Sequence, residues 1–283
     1  MVKLVFVDMD GTFLDSEKAI SPENASALDA AASLGVMFVP CTGRNLAGLP
    51  AELLRHPSVR YAVCANGAVV ADVATGRTLR EVTIEKDLVL DLYRRLRDCP
   101  ITFDLFADGT VYTQRERYPL IDRLELSDAT KEFVRGVRTV YDGSLEDQLA
   151  RIGDVCRLNV FYWRDEDRDA VCELVDSEPA LRRASSLPCN IEITDRSAHK
   201  GAGLRWLCDH LGVSAGECIA FGDGDNDRTM LEAAGDGVAM GNATPEVKAV
   251  ADHLTSSCDE SGVGRYLAPV FAAIAGQAAS GLR

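Results

Sequence analysis

The amino-acid sequence predicts an α/β protein, a doubly wound parallel sheet into which a second α+β domain is inserted. Short apolar runs alternate with helical patterns in the first 80 residues and again in the last third of the chain. The middle instead carries a hairpin signal and charged helical stretches. We therefore expect a core formed by residues 1–81 and 189–283 and an inserted domain formed by residues 82–188.

The first 80 residues predict a strand–helix–strand–helix unit followed by a hairpin. The continuous apolar runs Leu4–Val7 and Val36–Val39 are typical of parallel strands that are buried on both faces. Between them, Ser21 and Pro22 give the N-cap and the first-turn proline of a helix that Gly35 ends. The other elements predicted here are a helix over Leu46–Arg55 and strands over Tyr61–Cys64 and Ala68–Val70, on either side of an Asn66-Gly67 turn.

The rest of the chain predicts an insertion and then a return to the alternating pattern. In the insertion, Asp108-Gly109 is a hairpin turn signal between Ile101–Leu105 and Thr110–Thr113. Its other predicted elements are a strand over Leu158–Trp163 and helices over Leu88–Arg97 and Glu166–Val175. The last third predicts helices over Gly201–Leu211, Thr229–Ala234 and Pro245–Ala251 and strands over Cys218–Phe221, Val238–Met240 and His253–Thr255.

The composition limits the partners that we expect. The 283 residues carry 30 Lys+Arg against 44 Asp+Glu, a formal net charge of -14. Nucleic acid and anionic membranes need a basic face, so neither is expected as a partner. A small phosphorylated substrate stays possible, because one bound metal ion reverses the local field.

The expected cellular location follows from segments and cysteine patterns that the sequence does not contain. No apolar run approaches the ~20 residues of a membrane-spanning helix, and the N-terminus does not resemble a secretory signal. The nine cysteines are odd in number and form no C-x-x-C pair, which favours reduced thiols. We expect a cytoplasmic protein.

Two acidic clusters directly follow predicted strands. They are Asp8-Met9-Asp10-Gly11-Thr12 and Gly222-Asp223-Gly224-Asp225-Asn226-Asp227. Sites in open α/β sheets form at the carboxyl ends of strands. Two unit charges ~4 Å apart repel by about 4 kcal/mol at an effective dielectric near 20, so clustered carboxylates need a cation. Either cluster alone is also compatible with an ordinary turn, but together, at strand ends, they favour a Mg²⁺ site.

Further residues fit a phosphoryl-transfer site. Asp8 and Asp10 are two residues apart, so in an extended backbone they point to the same side and suit a nucleophile and a separate acid/base. Thr42-Gly43 follows another strand and predicts an anion-binding turn, although a helix cap would use the same residues. Lys200 begins a predicted helix, where a cation opposes the helix dipole; this favours a functional role over a solvated lysine.

With these four motifs in this order, the chain resembles the haloacid dehalogenase superfamily of phosphatases. More narrowly, it is similar to the Cof-type branch, which carries a large α+β cap between the second and third motifs. The matching segments are Asp8-Met9-Asp10-Gly11-Thr12, Thr42-Gly43-Arg44, Lys200-Gly201 and Gly222-Asp223-Gly224-Asp225-Asn226-Asp227. The resemblance covers the whole chain and implies a Rossmann-like core with an inserted cap.

The resemblance also implies a role for each motif residue. Asp8 would be the nucleophile and a Mg²⁺ ligand, and Asp10 the general acid/base, which ligates the ion through its carbonyl. Asp223 would be the second carboxylate ligand. The phosphoryl group would be bound by Thr42, Gly43, Lys200 and Asn226, with Asn226 and Asp227 supporting the metal site and Arg44 and Asn66 contacting the substrate.

The function that follows is Mg²⁺-dependent hydrolysis of a small phosphomonoester through an aspartyl phosphate. A sugar phosphate or a phosphorylated cofactor would be the substrate. One alternative is a phosphotransferase or phosphomutase acting on a phosphorylated sugar. Another is a non-catalytic regulator that binds a phosphorylated ligand. The oligomeric state is not predicted by the sequence.

Overall fold

The computed structural model describes residues 1–281, with side chains up to Gln277. In chain order the strands are Leu4–Val7 (β1), Met37–Pro40 (β2), Tyr61–Cys64 (β3), Val69–Asp72 (β4), Thr78–Glu81 (β5), Asp104–Ala107 (β6), Thr110–Gln114 (β7), Arg138–Tyr141 (β8), Arg157–Phe161 (β9), Leu181–Ala184 (β10), Asn190–Asp195 (β11), Cys218–Gly222 (β12), Asp236–Ala239 (β13) and His253–Leu254 (β14). The α-helices are Pro22–Leu34 (α1), Ala51–Leu54 (α2), Lys86–Leu96 (α3), Asp128–Gly136 (α4), Leu145–Arg151 (α5), Asp165–Asp176 (α6), Lys200–Leu211 (α7), Arg228–Leu231 (α8), Pro245–Lys248 (α9) and Gly262–Gly281 (α10).

The core is a five-stranded parallel sheet in the order β14-β13-β12-β1-β2. The apolar run of β1 is buried along its whole length, as its continuous hydrophobicity predicts. Its last residue, Val7, lies opposite Pro40 of β2 and Phe221 of β12. The residues that follow these three strands therefore emerge at one edge of the sheet.

Helices cover both faces of this sheet, which confirms the predicted doubly wound fold. From the centre of the sheet, β1–α1–β2 runs towards one edge and β12–α8–β13 towards the other. Because such crossovers are right-handed, α1 and α8 lie on opposite faces. Helix α10 packs on α1 at Gly264, and α7 packs on α8 at Gly201.

Capping residues and prolines explain where the helices end and why one predicted helix is wrong. The Ser21 side chain accepts a hydrogen bond from the backbone N–H of Asn24, and Gly35 adopts a φ of 69°, so α1 has the predicted bounds. The continuous helix predicted over residues 46–55 is wrong. Pro50 forces extended backbone on Leu49, and the segment splits into a 3₁₀ turn and α2.

The insertion forms a six-stranded sheet of its own, in the order β10-β11-β9-β6-β7-β8. The Asp108-Gly109 turn joins β6 to β7 with positive φ at both residues, as expected for a two-residue hairpin. A separate hydrophobic core supports this sheet. Strand β11 pairs with β9 and β10, so the chain leaves this sheet only after Asp195, seven residues beyond the expected boundary at 188. We refer to residues 82–195 as the cap.

A third, antiparallel sheet of β3, β4 and β5 extends the edge of the core beside β2. The backbone N–H of Thr42 donates to the carbonyl of Val63 at 2.8 Å, which ties the end of β2 to β3. The predicted Asn66-Gly67 turn joins β3 to β4, with φ values of 56° and 91°. Gly67 also packs against α7, where a Cβ would lie 2.1 Å from the carbonyl oxygen of His199.

None of the described helices is long and apolar enough to cross a membrane. All nine cysteines are free thiols, and the Sγ atoms of Cys208 and Cys218 lie 3.4 Å apart in the core.

Candidate active site

The ends of β1, β2 and β12 bring the predicted motifs together. A cavity of about 120 Å³ lies between this edge of the core and the cap. The core residues that line it include Asp8, Asp10, Thr42, Gly43, Arg44, Asp223 and Asn226. Carboxylate oxygens of Asp8, Asp223 and Asp227 all lie within 4.8 Å of one another. Residues more than 200 positions apart in the sequence thus form one acidic centre.

Asp8 is buried at the centre of this cluster. Its Oδ1 accepts a hydrogen bond from Lys200 Nζ at 2.6 Å. Burial raises the pKa of Asp8 well above its ordinary value; Lys200 opposes this, and the nearby Asp227 and Asp223 raise it further. The carboxylates therefore carry more negative charge than one lysine compensates.

Lys200 is fully buried at the first turn of α7, which explains the misfit that the sequence shows there. Its Nζ lies 2.6 Å from Asp8 Oδ1 and 2.6 Å from Asp227 Oδ1. Burial alone would lower the pKa of Lys200, but the two carboxylates raise it above its ordinary value. Lys200 is therefore a fixed positive charge beside Asp8.

His199, which precedes this lysine, serves the helix and not the acidic centre. Its Nδ1 accepts a hydrogen bond from the backbone N–H of Ala202, so it caps α7 in the neutral form. Burial, together with the charges of neighbouring arginines, lowers the pKa of His199 to about 4. This agrees with the sequence, which gives His199 no catalytic partner.

Asp223 is held against the first motif. Thr12 Oγ1 donates to Asp223 Oδ1 at 2.7 Å, and Gly11 approaches so closely that a Cβ would lie 2.5 Å from Asp223 Oδ2. Gly11 has a φ of 82°, so both its conformation and the space require glycine. Burial and the charge of Asp227 raise the pKa of Asp223 to about 7, although the Thr12 hydrogen bond opposes the shift.

Asp227 makes structural contacts with both of its oxygens. Oδ1 accepts from Lys200, while Oδ2 accepts from the backbone N–H groups of Asp223 and Gly224 at 3.0 and 2.9 Å. The side chain thus fixes the loop after β12 and orients Lys200. This arrangement suits the supporting role that the resemblance implies for Asp227.

A hard divalent cation fits this centre. Asp8 and Asp223 offer carboxylate oxygens, the ligand type that Mg²⁺ prefers, in a site with a surplus of negative charge. Burial, and after it the neighbouring carboxylates, raise the pKa values of both groups, and a bound cation would favour their ionised forms.

Asp10 is oriented differently from Asp8. Its carboxylate accepts hydrogen bonds from Arg44 Nε at 2.8 Å, Arg44 Nη2 at 2.7 Å and Lys18 Nζ at 2.8 Å. Burial raises the pKa of Asp10, but the contacts with Arg44 and then Lys18 outweigh it and lower the pKa to about 2. In this arrangement Asp10 is ionised and paired, and Lys18 is a partner that the sequence did not indicate.

The second motif packs directly beneath the cap. Thr42 is buried, and its Oγ1 accepts a hydrogen bond from the backbone N–H of Arg44 at 3.1 Å. At Gly43 a Cβ would lie 2.9 Å from Arg157 Nη1 and 3.0 Å from Glu192 Oε1. A side chain at position 43 would therefore displace the ends of cap side chains that lie against the loop.

A chain of amide contacts connects the core to the cap. Asn226 Nδ2 donates to Asn66 Oδ1 at 3.1 Å, and Asn66 Nδ2 donates to Glu192 Oε2 at 2.5 Å. Asn226 lines the cavity, whereas the polar atoms of Asn66 both contact protein groups. The substrate contact that the resemblance implies for Asn66 stays a prediction.

The cap side of the cavity contains residues that sequence reasoning missed. Each of three arginines lies over a phenylalanine ring: Arg44 over Phe133 at 4.2 Å, Arg157 over Phe106 at 3.8 Å and Arg138 over Phe161 at 5.4 Å. Arg157 and Arg138 are also paired with the buried carboxylates of Glu192 and Asp104. Apart from Arg44, which belongs to the second motif, these residues are scattered over strands and a helix of the cap, so no motif marks them.

Comparisons with known proteins agree with this geometry. Residues 5–267 match a family model described as haloacid dehalogenase-like hydrolase. Phosphatase YwpJ of Bacillus subtilis (strain 168) is 30% identical over 283 residues, which cover 94% of this chain and 99% of YwpJ. A second relative from that organism, 5-amino-6-(5-phospho-D-ribitylamino)uracil phosphatase YcsE, is 29% identical over 94% of each chain. A solved haloacid dehalogenase-like hydrolase from B. subtilis has a TM-score of 0.82 at 29% identity and covers 93% of this chain and 98% of its own.

Proposed function

The chain belongs to the haloacid dehalogenase-like hydrolases and is a phosphatase of that family; we propose that it hydrolyses a small phosphomonoester with Mg²⁺, through a phosphorylated Asp8. The observation that supports this most directly is the buried Asp8–Lys200 pair beside Asp223, facing a cavity closed by the cap. These contacts support a nucleophilic role for Asp8 beside a fixed cation and a metal-binding role for Asp223.

In the first half-reaction, a carboxylate oxygen of Asp8 forms a bond to phosphorus while the bond from phosphorus to the ester oxygen breaks. The departing oxygen takes a proton from Asp10. In the second half-reaction, water attacks the aspartyl phosphate, Asp10 takes a proton from that water, and inorganic phosphate leaves. Asp10 has to leave its pair with Arg44 to do this, since its pKa of about 2 keeps it ionised there.

Charge neutralisation is divided among several groups. Lys200 lies beside Asp8, and Thr42, Gly43 and Asn226 line the cavity where the phosphoryl oxygens would sit. Bound at Asp8, Asp223 and the Asp10 carbonyl, Mg²⁺ would supply the positive charge that the phosphoryl oxygens need in the transition state. The cap excludes water from the first half-reaction.

For the substrate we propose a small phosphorylated metabolite, a sugar phosphate or a phosphorylated cofactor. The name of the relative YcsE describes such a compound, a phosphorylated ribityl chain on a uracil ring. The net charge of -14 supports neither a nucleic acid nor a membrane partner. A cytoplasmic location stays part of the proposal.

The direct test is Asp8→Asn, with p-nitrophenyl phosphate as the substrate in the presence of Mg²⁺. We expect the variant to keep the fold and to lose turnover by several orders of magnitude, because an amide does not replace the attacking carboxylate. Asp29→Asn changes an exposed carboxylate that does not line the cavity and is the matched control. Turnover that survives in Asp8→Asn contradicts the proposed nucleophile.

Two other outcomes would replace the proposal. Consumption of a phosphorylated sugar without release of one inorganic phosphate per molecule would indicate a phosphotransferase or phosphomutase. Wild-type protein that binds phosphorylated ligands but turns over none of them would be a regulator.

A further inference from the structure

Arg157 of β9 is a buried cap residue that uses only part of its hydrogen-bonding capacity. It is 3% exposed and lines the cavity. Its Nη1 donates to Glu192 Oε1 at 2.5 Å, and its guanidinium lies over the ring of Phe106. Within the described part of the chain, the bond from Nη1 is the only hydrogen bond of the Arg157 side chain, and its Nε is buried without a partner. A buried guanidinium with free donors next to a cavity indicates an acceptor that the protein itself does not supply.

Arg138 offers an internal comparison. It also lies in the cap, lines the same cavity and pairs with a buried carboxylate. Its Nε and Nη2 donate to Asp104 Oδ2, and its Nη1 donates to the carbonyl of Val134. Because protein acceptors occupy every nitrogen of Arg138, burial alone does not explain the free donors of Arg157.

Among the described residues, three buried side-chain nitrogen or oxygen atoms lack a hydrogen-bond partner: Tyr141 Oη, Arg157 Nε and Arg228 Nε. Of these, only Arg157 belongs to a residue that lines the cavity. It also lies against the loop that would hold the phosphoryl group, since a Cβ on Gly43 would be 2.9 Å from Arg157 Nη1. The free donors are therefore close to the ester end of a bound substrate.

The net charge of the Arg157–Glu192 pair indicates which kind of acceptor group a substrate would place there. Glu192 is itself buried and compensates the charge of Arg157, so the pair is neutral as a unit. A second phosphate or a carboxylate would meet no uncompensated cation on the cap side, whereas an uncharged oxygen needs only a donor. Phe106, Phe133 and Phe161 provide apolar surface around the remainder of the substrate.

We propose that Arg157 is a specificity-determining residue that donates a hydrogen bond to an uncharged oxygen, a hydroxyl or a carbonyl, near the ester of the leaving group. The inference rests on the proposed phosphatase function and adds the substrate class: phosphomonoesters of oxygen-bearing leaving groups, without a second charged group at this position.

The test compares substrate pairs that differ in such oxygens. Glycerol 3-phosphate against propyl phosphate represents hydroxyl groups, and pyridoxal 5′-phosphate against benzyl phosphate represents a ring with a carbonyl. We expect kcat/KM of the wild type to favour the oxygen-bearing member of at least one pair by tenfold or more. Arg157→Lys keeps the charge beside Glu192 but loses the planar fork, and we expect it to reduce that preference about tenfold. The substrate pair whose preference falls in Arg157→Lys shows whether the acceptor is a hydroxyl or a carbonyl.

Arg138→Lys is the matched control, because it changes a buried cap arginine whose donors are already occupied. It should change both members of a pair by the same factor and leave their ratio as it is. If Arg157→Lys does not fold, the double variant Arg157→Gln with Glu192→Gln keeps the pair uncharged and replaces it in the comparison.

Failure of the two proposals gives different results. Equal loss on all four substrates in Arg157→Lys, or a preference that is missing in the wild type, overturns the role of Arg157. If the wild type turns over none of the four substrates, the result contradicts the phosphatase function. Binding measurements then test the role of Arg157. In Asp8→Asn protein, calorimetric Kd values for glycerol 3-phosphate and propyl phosphate should differ, and Arg157→Lys should remove the difference.

Discussion

At the scale of single residues, the acidic centre combines strong negative charge with very little solvent. Asp223 has a pKa of about 7, against an ordinary value near 3.8, and Asp8 is raised as well. A carboxyl that holds its proton in the folded protein but releases it in the unfolded chain makes the folded state less stable as the pH rises. Without a bound cation, the free energy of unfolding therefore falls as the pH rises from about 4 to about 7.

A pH-dependent interaction with Mg²⁺ follows from this centre. We expect Mg²⁺ to bind more tightly as the pH rises from 6 to 8, because Asp223 has to lose its proton to act as a ligand. In chelator, Tm should fall over the same pH range, and added Mg²⁺ should reverse the fall. Thermal unfolding and calorimetric titration at pH 6, 7 and 8 measure both effects.

The control is Asp225→Asn, which changes an exposed carboxylate in the same loop and should keep the full response. Asp223→Asn should lose most of the Mg²⁺ affinity and the part of the pH dependence that comes from Asp223, while the part from Asp8 stays. Equal Mg²⁺ affinity at pH 6 and pH 8 in the wild type would contradict the role given to Asp223.

The residues that the sequence identified are those with a local misfit or a cluster to reveal them. Lys200 stands out because a cation at the start of a helix is unfavourable, and the aspartates stand out because they follow apolar strands. Arg157 and Glu192 are 35 positions apart and meet only through the pairing of β9 with β11. The sequence alone gives no sign of that pairing, so no local pattern identifies them.

At the scale of elements, α7 determines where Lys200 lies. Two glycines on this helix permit close packing: a Cβ at Gly201 would lie 2.0 Å from the carbonyl oxygen of Thr229 in α8. At Gly203 it would lie 2.5 Å from Val63 Cγ1 in β3. The helix thus rests directly on backbone and on side chains of its neighbours, which fixes the lysine at its first turn.

Substitution of Gly201 by alanine should therefore damage both stability and activity. Backbone cannot move aside as a flexible side chain can, so we expect a loss of roughly 1–3 kcal/mol or more in the free energy of unfolding. We also expect a reduced kcat, because α7 has to shift and carries Lys200 with it. Urea unfolding and phosphatase assays measure the two effects.

Gly276→Ala in α10 is the matched control, since nothing lies within 4 Å of a Cβ at that position. It should raise the free energy of unfolding by about 0.5–1 kcal/mol through helix propensity. A Gly201→Ala protein as stable and active as the wild type would show that α7 has room that the structure does not indicate.

Elements with a complete local signal were predictable, and those that depend on distant partners were not. Strand β1 and helix α1 have the expected bounds, because burial periodicity and caps are encoded within each segment. Strands β5, β8 and β10 were missed, since their exposed, charged residues become strands only by pairing with neighbours. Helix α10 was also missed, because Pro269 lies inside it and usually signals a break.

At the scale of the whole molecule, the cap is attached to the core across the cavity. Asn45 Nδ2 donates to the carbonyl of Gly109 at 2.6 Å, Asn66 contacts Glu192, and the guanidinium of Arg44 lies over Phe133. The same Arg44 holds Asp10. Closure of the cap and the position of the proposed acid/base are thus connected through one side chain.

Phe133→Ala tests this connection. Loss of a partly buried cation–π contact of about 0.5–2 kcal/mol should weaken closure and raise KM for small phosphomonoesters, by roughly twofold to thirtyfold. Small-angle scattering with and without beryllofluoride should show less compaction than in the wild type. As a control, Trp163→Ala removes a similar contact, with Arg123, that lies wholly within the cap. Equal effects of both substitutions would assign the result to cap stability rather than to closure.

Because β1 lies between β2 and β12, synthesis of the chain leaves the sheet open for a long time. β1 pairs with β2 within the first 40 residues, but its other neighbour ends at Gly222. At roughly 5–20 residues per second, a ribosome needs about 10 to 40 s to supply that neighbour. During this interval the growing polypeptide displays an apolar strand with a free edge, a surface prone to aggregation. We therefore expect the nascent chain to engage chaperones until its final third emerges.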